Sequence, residues 1–424
     1  MTSLLCILFV TAALAPWTIK WLGTRGFLVL SLPLAGGAIY TGTHLVRLAL
    51  DNGNGETSAL TQPAVTHFSW MPIIHLDVNL RLGPIESLFG TLVLTIGFLV
   101  LVYCSGYFVN PPPGKRRRIG SFAAQMVAFA AAMYGLVISD NIMLMFVFWE
   151  ITSVLSFLLV GYYAERASSR RAAGQALLVT TLGGLIMLVG IVLMGVTTGF
   201  WNFSELTAPG ALTAAQLDST AVSTAAILLV VGALSKSAIA PFHFWLPGAM
   251  AAPTPVSSFL HSAAMVKAGV FLVARLAPTF NDTNAWQPII IPLGLLTMIM
   301  AGWMALRQKD LKLIMAYGTV SQLGFIITVA SIGTRATGGG ALGVVAHQEE
   351  GQNRGNFPED EHQHDAVADD QAVHRRSEGD HLGCEGTYAA TFAEWRVDEV
   401  TGAVHQYEKA DGQNQRAEER FNRT

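Results

Sequence analysis

Charge is scarce in this chain: only 13% of its 424 residues are Asp, Glu, Lys or Arg. A soluble protein carries about a quarter, so with 52% hydrophobic residues and a mean hydropathy of +0.44 this chain is not built to stay in solution. Cysteine is almost missing. Cys6, Cys104 and Cys384 lie far apart, two of them in apolar runs, which excludes a disulfide framework and offers no zinc spacing. No phosphate-cradling glycine loop, dinucleotide fingerprint or nucleophile elbow occurs, so no cofactor is expected and redox chemistry is not indicated. The apolar run Leu4 to Pro16 lacks the basic leader of a signal peptide and is followed by many similar runs, so it reads as a first membrane helix.

What fills the chain instead is apolar sequence long enough to cross a ~30 Å hydrocarbon layer at ~1.5 Å per residue. Ten segments qualify: Ser3 to Ile19, Phe27 to Leu48, Ser87 to Phe108, Ile119 to Ser139, Ile142 to Tyr162, Ala172 to Gly195, Val222 to Phe242, Ser257 to Leu276, Trp286 to Leu306 and Leu313 to Ile332. A soluble helical protein would need polar faces at helical spacing on these segments, and they are apolar nearly all round. The expected fold class is therefore all-α, a polytopic transmembrane helical bundle of about ten spans in a lipid bilayer, with a broken seventh helix and a disordered polar C-terminal tail.

Basic residues collect at Lys20 and Arg25, at Lys115 to Arg118, at Arg166, Arg170 and Arg171, and at Arg307, Lys309 and Lys312. All fall on one side of the ten-span order, which makes that side cytoplasmic. The N-terminus, the connections Asp51 to Glu86 and Thr197 to Ala221, and the tight turn at Asp140 and Asn141 are then external. Because topology accounts for the basic residues, nucleic acid is not an expected partner.

After His347 the material changes. Up to that residue there are 18 basic and 11 acidic residues; beyond it there are 8 basic and 18 acidic, with few aliphatic side chains. Such a segment builds no core. The change falls inside GGALGVVAH, which reads as the start of another span, so the expectation is that translation leaves its reading frame or meets a rearrangement at or just after His347. The chain divides into N-terminal transmembrane helices with an external loop (1–110), an incomplete membrane domain (111–347) and a polar, disordered, non-native tail (348–424). His362, His364, His374, His381 and Cys384 in the tail are irregularly spaced, and no metal site is expected.

The ionisable residues inside the apolar segments carry the chemistry. An ammonium group at mid-depth costs ~2.5–3.5 kcal/mol even on lenient insertion scales, so it normally marks an ion path or a paired site. Lys236 to Gly269 reads KSAIAPFHFWLPGAMAAPTPVSSFLHSAAMVKAG, with Lys236, His243, His261 and Lys267 in an otherwise apolar stretch. Glu150 sits near the centre of its span and is the deepest acid. Lys236 is its candidate partner, and a change in their separation would switch the lysine between holding and releasing a proton; a static pair that merely fixes helix packing is the bland alternative. Pro241 lacks an amide proton and clashes with the Ser237 carbonyl, so the helix should break there, and freed backbone groups at membrane depth are tolerated where they line a watery cavity. His243 would share a face with Lys236 on a continuous helix, two turns or ~10.5 Å away. His261 and Lys267 enter from the next helix, as a proton carrier and a second charge store or gate. For either histidine a plain hydrogen-bonded core role remains open.

The runs KSAIAPFHFWLPGAMAAPTPVSSFLHSAAMVKAG, FVFWEITSVLSFLLVGYY and DLKLIMAYGTVSQLGF resemble the proton-translocating antiporter-like subunits shared by Mrp-type Na+/H+ antiporters and respiratory complex I, over most of Met1 to His347. PFHFWLPGAM with MVKAG is most similar to the large Mrp subunits of the MrpA (MnhA) type. The resemblance implies an essential glutamate on the fifth helix (Glu150), a lysine on the broken seventh (Lys236), and the histidine and lysine of the eighth (His261, Lys267). It further implies two inverted five-helix repeats and a continuation containing HALFKA, which is replaced here by Gln348 onward, so that His347 is the last path residue. The implied function is a subunit exchanging Na+ for H+ in the cytoplasmic membrane, a transporter rather than an enzyme, partnered by other membrane subunits of a hetero-oligomeric complex. The alternatives are a proton-pumping subunit of NADH:quinone oxidoreductase or a related hydrogenase, and an inactive truncated product.

Overall fold

The computed structural model describes residues 1–54, 64–108, 116–208, 210–217, 219–262, 265–281, 283 and 285–332, all within one unit, Met1–Asn353. His347 and the tail 348–424 lie outside the described residues. The chain forms a helical membrane bundle: α1 (Thr2–Leu22), α2 (Gly26–Asn54), α3 (Pro84–Tyr107), α4 (Arg116–Ile138), α5 (Ile142–Val160), α6 (Ala167–Thr198), α7 (Thr220–Lys236), α8 (Thr254–Ser262), α9 (Lys267–Phe280), α10 (Trp286–Leu306) and α11 (Leu311–Ser331).

The apolar sequence sorts itself by burial. Helix α4 is central, and every residue from Phe129 to Ile142 is buried. Helix α6 instead turns Leu178, Leu182, Leu185, Val189, Val192 and Val196 outward, an exposed aliphatic stripe at helical spacing that water would penalise and hydrocarbon does not. The opposite face of α6 approaches α7 closely, because Gly183 and Gly190 meet Gly232 and Ala225 with no side chains between them. Apolar burial supplies little net attraction between helices in lipid, so such close backbone packing is what holds them.

Seven stretches are long and apolar enough to cross a membrane, the first of them, Thr2–Leu48, containing both α1 and α2. The expectation of ten full-length spans is not met at two places. Helix α7 is shorter than Val222 to Phe242 and stops at Lys236, five residues before Pro241; Phe242–Phe244 and Trp245–Gly248 are single short turns. The segment Ser257 to Leu276 is not one helix but two, α8 and α9. Broken helices in the middle of a bundle are tolerated where neighbouring groups satisfy the freed backbone. Here the indole Nε1 of Trp245 donates to Ser235 O at 3.0 Å, and Thr297 Oγ1 on α10 accepts from Ala240 N at 2.9 Å.

The connection expected as an external loop holds the other departure from the all-helical reading. It carries an antiparallel hairpin of β1 (Ala64–Met71) and β2 (Leu76–Leu82), paired from Ala64 with Leu82 and irregular between Phe68 and Met71. Its end packs on the Asp140–Asn141 turn: Asn79 O accepts from Asp140 N at 2.7 Å, and Asn141 Nδ2 donates to His75 O at 2.9 Å. The ring of His75 stacks on Trp201 at 4.4 Å. The three connections assigned to one side of the membrane therefore meet at one end of the bundle.

Candidate functional site

Two local devices position the site. Asn141 caps α5, its side chain accepting from Leu144 N at 2.9 Å, which pins the register of the helix that carries Glu150. At the other side α7 ends at Lys236, where an ammonium near a helix C-terminus is favourably placed against the helix dipole.

Lys236 is completely buried. Its Nζ donates to Trp149 O at 2.7 Å, Thr152 Oγ1 at 2.7 Å and Ser153 Oγ at 3.1 Å, and lies 4.4 Å from the centre of the Trp149 ring. All three donor positions of the ammonium are thus met by α5. Glu150, next in sequence to Trp149, is not among these partners: its carboxylate is turned toward α6, where a side chain on Gly184 would collide with Oε1, and Oε1 is buried without a hydrogen bond. The expected direct Glu150–Lys236 pair is corrected in this respect. The two sit on adjacent helices and act on one another by charge, but the lysine is held by a carbonyl and two hydroxyls.

The helix break keeps His243 off the face of α7. It lies in the short turn after Pro241, its Nδ1 buried without a hydrogen bond and its ring edge-on to Phe244. Lys267 is buried at the first turn of α9. His261 is on α8, with its side chain outside the described residues, and His347 is outside them altogether. Among the described residues no group of His, Cys, Asp and Glu has the arrangement of a metal site.

The sequence reading missed Trp149, Thr152 and Ser153 as the seat of Lys236; the hydroxyls in the otherwise apolar EITSVLS run were the available signal. It also read Asp140 as turn chemistry alone and passed over Arg275. The Arg275 guanidinium is buried, with Nη2 2.8 Å from Asp140 Oδ1 and 3.3 Å from Glu86 Oε1, and Nη1 donating to Ser139 O at 2.9 Å. A lone arginine inside an apolar segment was the visible trace.

Interior ammonium, guanidinium and carboxylate groups in a lipid-facing helical bundle define a polytopic membrane protein with charge held inside it. Residues 139–348 match the family described as NADH:quinone oxidoreductase/Mrp antiporter, TM. The chain is 43% identical over 272 residues to a probable A/B subunit of a K(+)/H(+) antiporter of Rhizobium meliloti, covering 64% of this chain and 26% of that one. It is 38% identical over 309 residues to the A1 subunit of a Na(+)/H(+) antiporter of Staphylococcus aureus, covering 73% and 36%. Its fold superposes on a chain of the Mrp complex from Dietzia sp. with a TM-score of 0.70 at 34% identity, over 82% of this chain and 36% of that one. A chain of an archaeal membrane-bound sulfane sulfur reductase shares the fold, with a TM-score of 0.68 at 23% identity, over 81% and 67%. The chain is an MrpA-like member of this antiporter family. It spans about a quarter to a third of the length of the curated relatives it matches.

Proposed function

We propose that this chain is a membrane subunit of a multisubunit cation/proton antiporter in the cytoplasmic membrane, moving protons in exchange for Na+ along a path that includes Glu150, Lys236, His243, His261, Lys267 and His347. The observation that carries the reading is the fully buried Lys236 ammonium bound to α5 beside Glu150, at the end of a broken helix. An ammonium with no water can persist in such a place only while its three acceptors stay put, so movement of α5 against α7 changes whether it keeps its proton. The names of the relatives, antiporter subunits for K+ or Na+, support a transporter rather than an enzyme. Pro241, by ending the helix, leaves room for His243 to relay protons toward the break.

The test is sodium-dependent collapse of a pH gradient in vesicles holding this chain and its partner subunits. Collapse that is lost in Glu150→Ala supports antiport; no collapse with the unaltered chain favours an inactive product. A second reading, a proton-pumping subunit of an NADH:quinone oxidoreductase or related hydrogenase, is favoured by the family's shared membership and by the reductase fold match. It predicts proton movement that needs a redox donor and is indifferent to Na+.

A further inference from the structure

We infer that Arg275 is a positioning residue for this path: with Asp140 and Glu86 it fixes how the helix holding Glu150 stands against the helix that backs Lys236. The inference rests on the function proposed above. The cluster ties together parts of the chain that are remote in sequence. Glu86 comes from the first turn of α3, where its other oxygen accepts from Gly83 N at 3.1 Å. Asp140 comes from the turn before α5, and accepts from Ser204 N at 3.1 Å and from the Ser204 hydroxyl. Arg275 comes from α9, its guanidinium 4.3 Å from the centre of the Phe203 ring. Arg81 on β2 faces Arg275 closely enough to act on it by charge.

Each half of the proposed path hangs from this cluster by one rigid helix. Glu150 stands ten residues along α5 from Asp140, ~15 Å at helical rise. In the other direction, Gly269 lies six residues before Arg275, ~9 Å along α9. A side chain on Gly269 would collide with Ala233 O and Ser237 Oγ, so α9 is seated directly on the last turn of α7, on either side of Lys236. The seat is fastened by Ser237 Oγ, which donates to Val266 O at 2.6 Å. Sliding α9 against α5 therefore displaces the Lys236 end of α7 from Trp149, Thr152 and Ser153.

Stability alone does not account for such a cluster. Desolvation offsets most of what buried ions gain by pairing, and apolar side chains of the same volume hold helices at least as firmly. Two carboxylates on one guanidinium also leave a negative charge in excess. What the ions supply is register, because the planar fork of arginine meets its acceptors in one arrangement only.

The experiment compares Arg275→Lys, which keeps the charge without the fork, and Glu86→Gln, which leaves the Arg275–Asp140 pair, in vesicles of the assembled complex. It reads the transport rate, the pH profile and the amount of chain in the membrane. Arg275→Lys is expected to lower the rate roughly tenfold and to move the pH profile at near-normal abundance, since sub-ångström misplacement of reacting groups costs that order. Glu86→Gln shifts the profile the same way by less. A normal rate and profile in Arg275→Lys overturns the inference, and so does a loss of rate that merely follows a loss of chain. If Arg275→Lys does not accumulate, Glu86→Gln decides by the same readings, and failure of both to accumulate marks a folding element only and overturns it. Glu150→Gln is run alongside: wild-type transport there defeats the proposed path itself, whereas a dead Glu150→Gln with an unaffected Arg275→Lys defeats only the positioning role.

Discussion

The ammonium of Lys236 is held 2.7 Å from the carbonyl oxygen of Trp149, the residue immediately before Glu150 on the facing helix. That carbonyl also accepts from the hydroxyls of Thr152 at 2.7 Å and Ser153 at 3.2 Å. Removing the lysine consequently leaves no acceptor stranded.

Lys236→Met should therefore accumulate in the membrane at a near-normal level while proton transport falls by ~100-fold or more, the range in which positioned proton carriers act. Gradient collapse in vesicles, normalised to immunodetected chain, checks this. Transport within a factor of two of the parent would remove Lys236 from the path.

Gly184→Ala should reduce both stability and transport, because the added methyl group collides with Glu150 Oε1 across the α5–α6 contact. Overpacking of this kind costs ~1–3 kcal/mol. Gly174→Ala on the same helix meets nothing within 4 Å and is expected to be neutral or slightly stabilising. Thermal aggregation of the detergent-solubilised pair compares the two; equal behaviour would mean that the Gly184 contact is not needed.

Two ion pairs of this bundle should behave oppositely on neutralisation. Arg118–Glu165, at 2.6 Å but with side chains 56% and 75% exposed, contributes at most ~1 kcal/mol, so Glu165→Gln leaves stability nearly unchanged. Asp140→Asn breaks the buried contact with Arg275 and should cost ~3–5 kcal/mol. The denaturation midpoints of the two variants provide the comparison, and similar shifts would contradict it.

Trp245→Phe keeps the ring that fills the break after α7 but loses the hydrogen bond to Ser235 O. The expected loss is about 1 kcal/mol, with faster backbone hydrogen exchange confined to residues 233–245. A change spread over the whole bundle would show that Trp245 holds more than the break.

Much of this was readable from residue order. Glu150 stands out as a lone acid in an apolar run, Lys236 as a lone amine, and Pro241 as a helix breaker, and the structure places the first two on the fifth and seventh helices. The break itself comes earlier than Pro241, because the chain leaves helical geometry as soon as Lys236 is passed, with Ala238 at φ 53°. Hydropathy averages over about twenty residues, so it did not register that Val222 to Phe242 and Ser257 to Leu276 are built from shorter pieces. Nor did apolar patterning reveal β1 and β2, whose short pairing lies in the polar connection between spans.

From residue order alone came the class of molecule and its dearest residues: hydrocarbon imposes helices on apolar runs and makes each interior charge conspicuous. Only the packed bundle settled which groups meet. Lys236 and Trp149 are 87 residues apart and Arg275 and Asp140 are 135, and their contacts depend on helix rotation, on the absent side chains of Gly184 and Gly269, and on where α9 rests on α7. Those are relations between surfaces in three dimensions, to which the periodicity of any single segment is blind.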